Sequence, residues 1–280
     1  MGRVTERRRT LRIRDGRASA RPDTLVAEEP LEIRVNGRPL AITMRTPGDD
    51  FALATGFLVS EGVIGAADEV RGITYCEGAT EEGVNTYNVV NVRLAPGVPE
   101  PGPELERRVY TTSSCGLCGK ASLDAVRTAG RHPVADTPRL RLTPALLSEL
   151  PDRLRAAQRI FERTGGLHAA GLFSEDGELL DAREDVGRHN AVDKLIGRAL
   201  TDGRLPLSRS VLLVSGRASF ELVQKAVMAG VPVLAAVSAP SSLAVDLAAE
   251  SGLTLIGFLR GPHMNVYTGE ERIVLEEHPG

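Results

Sequence analysis

The sequence predicts an α/β protein in which a largely parallel sheet is covered by helices and joined to a smaller N-terminal α+β domain. Two observations carry this prediction. Towards the C-terminus, three continuous apolar runs alternate with segments of helical spacing, a pattern typical of a parallel sheet buried on both faces. Nearer the N-terminus, apolar and polar residues alternate along the chain, which predicts a β-hairpin.

The predicted N-terminal domain covers residues 21–110 and follows a basic tail, residues 1–20, that we expect to be solvated and flexible. Alternation over residues 31–44 surrounds Asn36-Gly37, a pair that tolerates the positive φ of a tight two-residue turn. A helix capped near Asp49 follows and ends near Gly62. Strands at 73–76 and 86–94 and a proline- and glycine-rich loop at 96–103 complete this domain.

The second predicted domain, residues 121–280, follows a loop at residues 111–120 that we expect to be mobile. A helical stretch begins at Thr143-Pro144, pauses at Pro151 and continues towards Gly165. Two short strands flank Asp176-Gly177 and a helix follows, so the order is helix, hairpin, helix. The strands are expected at 167–173, 178–182, 211–214, 231–237 and 254–258, with helices at 190–200, 220–228 and 243–249.

Composition excludes several classes of function. The chain has 34 basic and 37 acidic residues and a net charge of −3, so we expect no nucleic-acid or anionic-membrane partner. The most apolar segment, residues 227–240, is interrupted and too short to span a bilayer. Three cysteines are too few for a disulfide framework, which favours a reducing cytoplasm. No apolar stretch follows the arginine-rich start, so secretion is not expected.

The segment 111–120, Thr-Thr-Ser-Ser-Cys-Gly-Leu-Cys-Gly-Lys, is the strongest chemical signal. Its small residues and glycines leave the thiols of Cys115 and Cys118 accessible to another protein. If residues 121–126 are helical, the pair lies at a helix N-terminus, where N–H groups favour a thiolate, and Lys120 adds a positive charge. A thiolate attacks a sulfane sulfur and then holds it as a persulfide.

Three other interpretations compete for these cysteines. A structural zinc site needs four ligands and the chain has one Cys-x-x-Cys pair, although Cys76 or a histidine could complete it. A dithiol oxidoreductase is disfavoured because the pair is not placed early in a βαβ unit. An inert, buried pair is disfavoured by the Gly-, Ser- and Thr-rich surroundings. Cys76 alone is interpreted as a core residue.

The loops after the three apolar strands are suited to an anion. Right-handed crossovers place these loops on one sheet edge, where open α/β sheets bind ligands. Gly216 allows close backbone approach, and Arg217 and Arg260 can bind phosphate in a fork. Three loops on one edge favour a nucleotide-sized ligand over free phosphate.

Two histidines and one polar segment are weaker candidates. His168 and His189 could bind a ligand, although an isolated histidine more often satisfies local hydrogen bonds. The polar segment 184–194 has several groups that could contact a nucleotide, and it also fits a capped, solvated helix end.

Several sequence blocks together resemble the formate dehydrogenase accessory sulfurtransferases, which mature molybdenum- or tungsten-containing formate dehydrogenases. The blocks cover most of the chain and comprise residues 56–62 (Gly-Phe-Leu-Val-Ser-Glu-Gly), 115–119 (Cys-Gly-Leu-Cys-Gly), 166–170, 185–194, 215–217, 258–261 and 265–267.

The resemblance implies a sulfurtransferase in which Cys115 carries a persulfide and Cys118 assists. A cysteine desulfurase is the implied donor, and the implied acceptor is bis(molybdopterin guanine dinucleotide), bound as a substrate before it enters formate dehydrogenase. The implied cofactor contacts lie in Phe258, Leu259, Arg260, Gly261, Pro262 and His263. The strand-end residues Ser215, Gly216, Arg217 and Ser238 are expected to join them. The family also implies a homodimer.

Members of this family are similar in fold to cytidine deaminases, which implies a deaminase-like core here. A zinc deaminase needs His-x-Glu followed by Pro-Cys-x-x-Cys, whereas residues 168–170 lack the glutamate and the helix near His189 lacks cysteines. We therefore expect neither metal-dependent deamination nor a structural metal. The alternative function is a non-catalytic chaperone that holds and hands over the cofactor, with the cysteines binding zinc or a partner.

Overall fold

The computed structural model describes residues 4–76, 87–102, 105, 131–134 and 140–275. Within these ranges, twelve strands form a two-stranded, a four-stranded and a six-stranded sheet, accompanied by six α-helices. Two short 3-10 helices span Ala67–Glu69 and Glu270–Arg272. The predicted α/β class, a helix-covered sheet preceded by a smaller α+β part, is confirmed.

Strands β1 (Thr5–Arg14) and β2 (Arg17–Val26) form an antiparallel ribbon whose side chains are mostly exposed. Its turn residues Asp15 and Gly16 have φ values of 49° and 73°, the geometry that an Asp-Gly pair favours in a two-residue hairpin. The expectation of a flexible tail over residues 1–20 is therefore wrong for residues 5–20. Asp15-Gly16 is the signal that predicts the ribbon, because it lies between two runs long enough to pair.

The four-stranded sheet has the order β4-β3-β6-β5. Its strands are β3 (Glu29–Val35), β4 (Arg38–Arg45), β5 (Val70–Tyr75) and β6 (Val89–Leu94). The hairpin predicted around Asn36-Gly37 is confirmed, since both turn residues have positive φ, 49° and 84°. The predicted helix that follows is α1 (Asp50–Ser60).

The remaining helices are α2 (Pro144–Ala157), α3 (Arg159–Thr164), α4 (Arg188–Thr201), α5 (Phe220–Met228) and α6 (Ser242–Ser251). The predicted pause at Pro151 is wrong, because α2 continues through it and ends before Gln158. The buried side chains of Leu147, Leu150 and Leu154 hold both halves of α2 on one apolar face. No helix within the described ranges combines the length and apolarity needed to cross a membrane.

The six-stranded sheet has the order β12-β11-β10-β9-β7-β8. The three predicted apolar strands pair in parallel at its centre, and strands antiparallel to their neighbours flank them on both sides. The sheet is therefore mixed, and the expectation of a largely parallel sheet holds only for these three central strands. The expected succession of helix, hairpin and helix is α3, β7-β8 and α4. The strands are β7 (His168–Ser174), β8 (Leu179–Asp185), β9 (Ser210–Val214), β10 (Val233–Ala236), β11 (Thr254–Arg260) and β12 (His263–Thr268).

One apolar core joins the two larger sheets, with α1 and α4 in close contact between them. A Cβ atom at Gly56 would lie 1.8 Å from the Asp193 carbonyl oxygen, and one at Gly197 would lie 1.9 Å from that of Ala52. Only glycine allows this approach of the two helices. The predicted domain boundary at 111–120 lies outside the described residues, so the division of the chain into two domains stays a prediction.

Candidate functional site

Three loops meet at the sheet edge where β9, β10 and β11 end. The Ser238 N–H donates to the Gly216 carbonyl at 3.3 Å, and the Phe258 N–H donates to the Ser238 carbonyl at 3.1 Å. Ser215 is fixed to β7, because its N–H donates to the Ala169 carbonyl at 3.0 Å and its hydroxyl accepts the Ala169 N–H at 2.9 Å. The structure thus brings together loops that the sequence placed on one edge.

Phe258 and Leu259, the first two residues of the predicted contact segment 258–263, differ in their exposure.

 Phe258 has a φ of 53° and a side chain that is 39% exposed, so its ring is free to meet a ligand. Leu259 has a fully buried side chain in the apolar core. The expected contact by Leu259 is therefore restricted to its backbone.

The rest of this segment forms the turn between β11 and β12. Gly261, Pro262 and His263 are exposed, and Gly261 has a φ of 52°. The Arg260 side chain donates through Nε to the Val237 carbonyl at 3.0 Å. One face of the Arg260 guanidinium is thus used to hold the turn, while the exposed remainder can still bind an anion.

Two further guanidinium groups lie at this edge. Arg217 is exposed and has no ion pair with any residue in the described ranges. Arg188 is the first residue of α4, and its Nε is buried without a hydrogen-bond partner among the described residues. A Cβ atom at Gly216 would lie 3.8 Å from the Arg188 Cδ, so Arg188 adjoins the strand-end loops. Sequence reasoning included Arg188 only as part of a polar segment.

Both candidate histidines lie at the same edge, and the pKa of each is lowered. Burial, followed by the charge of Arg188, lowers the pKa of His168, and Asp185 opposes this shift. Burial, Lys225 and Arg188 lower the pKa of His189 to about 4. The His189 Nε2 lies 3.2 Å from the Ser219 hydroxyl oxygen. A neutral imidazole can donate or accept a hydrogen bond without adding charge to the site.

Most of the polar segment 184–194 is structural. The Asp185 carboxylate is fully buried, lies 2.7 Å from the Lys194 Nζ and accepts the Gly187 N–H at 2.8 Å. The Asn190 side chain donates to Asp185 at 3.1 Å and to the Met44 carbonyl at 2.8 Å. These groups join α4 to the end of β4 and are not available to a nucleotide. The interpretation as a capped, solvated helix end is wrong for them, because Asp185, Asn190 and Lys194 are buried and the N-cap residue Gly187 makes no side-chain cap.

A cavity of about 460 Å³ opens beside the strand-end loops. It lies between α3 and the start of β7, and it reaches Ser215. The sequence did not predict this cavity, because its walls join residues 155–168 to Ser215, which lies far along the chain from them. Its lining includes Arg155, Gln158, Phe161, Leu167, His168 and Ser215.

The predicted sulfur carriers Cys115 and Cys118 lie outside the described residues. Cys76 follows β5, is half-buried and is a free thiol. Within the ranges that the structure describes, no group of three or more His, Cys, Asp or Glu side chains is arranged to hold a metal ion.

Comparison with known proteins places the chain in a family. Residues 26–274 match the family described as the FdhD/NarQ family. The sulfur carrier protein FdhD of Streptomyces avermitilis is 78% identical over 275 residues, which are 98% of each chain. The protein of the same name from Streptomyces coelicolor is 75% identical over 280 residues, covering 100% of this chain and 99% of that one.

A solved structure is also similar to this chain in fold. The crystal structure described as that of a formate dehydrogenase accessory protein from Desulfotalea psychrophila superposes with a TM-score of 0.75. It is 26% identical in sequence and covers 97% of this chain and 100% of its own. The resemblance found in the sequence blocks is confirmed. The chain belongs to the FdhD/NarQ family.

Proposed function

We propose that this chain is a sulfurtransferase that matures formate dehydrogenase. In this proposal Cys115 accepts sulfur from a cysteine desulfurase and passes it to bis(molybdopterin guanine dinucleotide) before that substrate enters the dehydrogenase. The observation that carries the proposal is the 78% identity, over 98% of both chains, to a protein named as a sulfur carrier. The Cys115-Gly-Leu-Cys118 segment supplies the thiols that such a function needs.

Loading of the carrier is an exchange at sulfur. The Cys115 thiolate attacks the outer sulfur of the donor's cysteine persulfide. A new S–S bond forms on Cys115, the donor's S–S bond breaks, and the donor cysteine leaves as a thiolate. Because one persulfide replaces another, this step needs no external oxidant or reductant.

Release gives Cys118 its role as the assisting residue. The Cys118 thiolate attacks the inner sulfur of the Cys115 persulfide, so that hydrosulfide leaves towards the substrate and a Cys115–Cys118 disulfide forms. A cellular dithiol then returns the disulfide to two thiols and supplies the two electrons. Each delivered sulfur therefore consumes one dithiol.

The sheet edge supports binding of the substrate's nucleotide part. Guanidinium groups bind phosphate oxygens in pairs of parallel hydrogen bonds, and Arg188, Arg217 and Arg260 lie at or near the three loops. Helices α5 and α6 begin in the loops after β9 and β10, so their N-termini face the same edge. We propose that the pyrophosphate of one guanine dinucleotide arm binds here.

A cytoplasmic homodimer is also part of the proposal. The side chains of Leu11 and Ile13 share one face of the β1-β2 ribbon with Ala18 and Ala20, and each of the two larger side chains is 67% exposed. Residues 5–26 contain seven arginines and three acidic residues, whereas the whole chain has a net charge of −3. The ribbon is therefore complementary in charge to the rest of a second copy. The reducing cytoplasm suits a chain that keeps Cys76 as a free thiol.

Dehydrogenase maturation in cells tests the proposal. In a host that lacks its own copy of the protein, the Cys115→Ala variant should give no formate dehydrogenase activity while its thermal unfolding matches that of the wild type. Cys76→Ala is the matched control and should keep full activity. Active dehydrogenase from cells with Cys115→Ala would overturn the assignment of the carrier.

The cofactor-chaperone alternative is separated by metal analysis. It predicts stoichiometric zinc in the purified protein, lost when Cys115 and Cys118 are both replaced by serine. The sulfur relay predicts that the thiols are free to titrate in the wild type. Zinc at one equivalent together with unreactive thiols would favour the chaperone.

A further inference from the structure

The two faces of the β1-β2 ribbon differ in chemistry. Successive side chains of a strand point to opposite sides, so the register of the ribbon fixes which side chains share a face. One face carries Leu11 and Ile13. The opposite face, called the arginine face, carries five exposed arginines: Arg8, Arg12, Arg14, Arg17 and Arg21. The proposed dimer accounts for the apolar face, whereas the arginine face has no assigned partner.

Four of the five guanidinium groups on the arginine face lack an acidic partner. The Arg8 Nη2 lies 2.6 Å from a Glu6 carboxylate oxygen, and Arg8 is opposite Asp23 in the register, so its charge is balanced within the ribbon. The other four make no ion pair with any residue in the described ranges: Arg12, Arg14, Arg17 and Arg21. Four unbalanced positive charges therefore lie together in the outer half of the ribbon.

These charges do not stabilise the ribbon itself. Arg14 and Arg17 are directly opposite each other beside the turn, and like charges at directly opposite positions of two strands are destabilising. Both side chains are exposed, so neither packs against the core. Because the folded chain gains nothing from this pair, its positive charge is available for a contact with another molecule.

The spacing of the arginine face suits an extended acidic peptide. Alternate residues of a strand are about 7 Å apart, which is the separation of Arg12 and Arg14 along β1. Alternate side chains of an extended peptide repeat at the same distance, so successive carboxylates can each accept paired hydrogen bonds from one guanidinium. Within the described ranges the two strands pair only with each other, so their outer edges can also bind the peptide backbone.

Charge and composition favour an acidic protein segment over a longer polyanion. The whole chain has 34 basic and 37 acidic residues, and residues 5–26 hold seven and three of them, which leaves 27 and 34 elsewhere and a net charge there of −7. Each ribbon strand has ten residues and is about 30 Å long. Duplex DNA or an anionic membrane would extend past the ribbon towards this negative charge. Residues 5–26 also contain no aromatic ring on which the bases of a single strand could stack.

We propose that the arginine face of the β1-β2 ribbon is a docking surface for an acidic, extended segment of a partner protein. Arg12 and Arg14 bind successive carboxylates, and Arg17 and Arg21 bind those that lie over β2. The arginine face contains neither a cysteine nor a strand-end residue, so it recruits the partner without taking part in sulfur chemistry. The apolar face on the other side of the ribbon stays available for a second copy.

Fluorescence anisotropy of a labelled peptide with the full-length protein tests this assignment. The probe is a peptide of about ten residues in which glutamate and threonine alternate, and the control peptide has glutamine in place of glutamate. The acidic peptide should bind at least tenfold more tightly, and added salt should weaken its binding. Equal binding of the two peptides would overturn the proposal. Tighter binding of duplex DNA, or of vesicles that contain phosphatidylglycerol, than of the acidic peptide would overturn it as well.

Two double variants with the same change in charge make the test specific. Arg12→Gln/Arg14→Gln removes two guanidinium groups from the arginine face and should weaken binding of the acidic peptide at least tenfold. Arg7→Gln/Arg9→Gln is the matched control, because both residues are exposed on the same strand and point to the other face. This control should weaken binding no more than about twofold. Equal losses in both variants would show that only net charge matters and would contradict the proposal.

Stability and assembly separate docking from a role in the fold or in the dimer. Both double variants should keep the melting temperature of the wild type, because the replaced side chains are exposed and make no ion pair with described residues. Arg12→Lys/Arg14→Lys keeps the charge and should bind the peptide more tightly than Arg12→Gln/Arg14→Gln does. A shift of Arg12→Gln/Arg14→Gln to monomer in analytical ultracentrifugation would assign the arginine face to a second copy and would overturn the proposal.

Discussion

Replacing Lys194 with methionine is expected to destabilise the fold before it affects cofactor binding. The Lys194 Nζ lies 2.7 Å from the Asp185 carboxylate, and the two side chains are 3% and 0% exposed. Lys194 also donates to the Thr46 carbonyl at 2.9 Å. Methionine fills a similar volume but leaves the Asp185 carboxylate buried without its counter-charge.

The magnitude follows from the remaining contacts. Removal of one partner from a buried ion pair destabilises a protein by about 3–5 kcal/mol. Asp185 keeps three N–H donors, from Thr46, Gly187 and Asn190, so we expect the lower end, about 3 kcal/mol. The melting temperature should then fall by roughly 6–12 °C. In Asp185→Asn/Lys194→Met no charge remains buried, so this double variant should recover at least about 1 kcal/mol.

Thermal unfolding followed by circular dichroism, together with GDP titration, measures both effects. Arg198→Met is the matched control on the same helix, because the Arg198 side chain is 52% exposed and forms a surface ion pair with Asp202. The free energy of unfolding of this variant should change by less than about 0.5 kcal/mol. The reasoning is refuted if Lys194→Met keeps its melting temperature within about 2 °C and loses GDP binding. That result would make Lys194 a nucleotide contact.

Three further predictions concern helix packing, acid stability and assembly. Gly197→Ala places a Cβ atom 1.9 Å from a backbone oxygen of α1, so chemical denaturation should show a free energy of unfolding that is lower by at least about 2 kcal/mol. The control Gly102→Ala, with no atom within 4 Å of its Cβ, should leave the free energy of unfolding unchanged. Equal losses in the two variants would contradict the packing argument. Burial, Lys225 and Arg188 hold the pKa of His189 at about 4 in the folded protein, below its value when unfolded, so the unfolded state binds more protons and stability falls as the pH drops from about 6.5 towards 4. After discounting for the partial exposure of His189, we expect the free energy of unfolding of the wild type to fall by an amount on the order of 1 kcal/mol at pH 5, and His189→Gln should not show this fall. An identical pH dependence of stability in the variant would contradict the role of His189. Leu11→Thr/Ile13→Thr should shift the protein from dimer to monomer in analytical ultracentrifugation without lowering its melting temperature, whereas a variant that stays dimeric would exclude the ribbon from the interface.

The sequence predicted those elements whose signals are local. Asn36-Gly37 lies between alternating runs, and its hairpin formed where expected. The apolar runs at 211–214, 231–237 and 254–258 could be assigned to a parallel sheet because burial on both faces removes alternation. The ribbon at residues 5–26 has an equally local signal in Asp15-Gly16, but its many arginines also resemble a solvated tail, and the tail expected from them is wrong.

The candidate site was only partly predictable for a physical reason. The strand-end loops share one edge because right-handed crossovers put them there, and this rule works without knowing any side-chain position. The fate of each side chain depends on long-range packing, which a single sequence does not specify. Leu259 lies in a contact segment and is nevertheless core, and Asp185 looks like a ligand group although its carboxylate is saturated. Gln158 lines a cavity because it lies between α2 and α3, and the start of β7 and the loop at Ser215 meet there.

The central claim is that Cys115 carries sulfur, and intact-protein mass spectrometry tests it most directly. Wild type, Cys115→Ala and Cys118→Ala are incubated with a cysteine desulfurase and cysteine, then weighed before and after treatment with a reductant. The account predicts a reducible gain of about one sulfur atom in the wild type that is lost in Cys115→Ala. The same gain in Cys115→Ala, or no gain in any form, would contradict it.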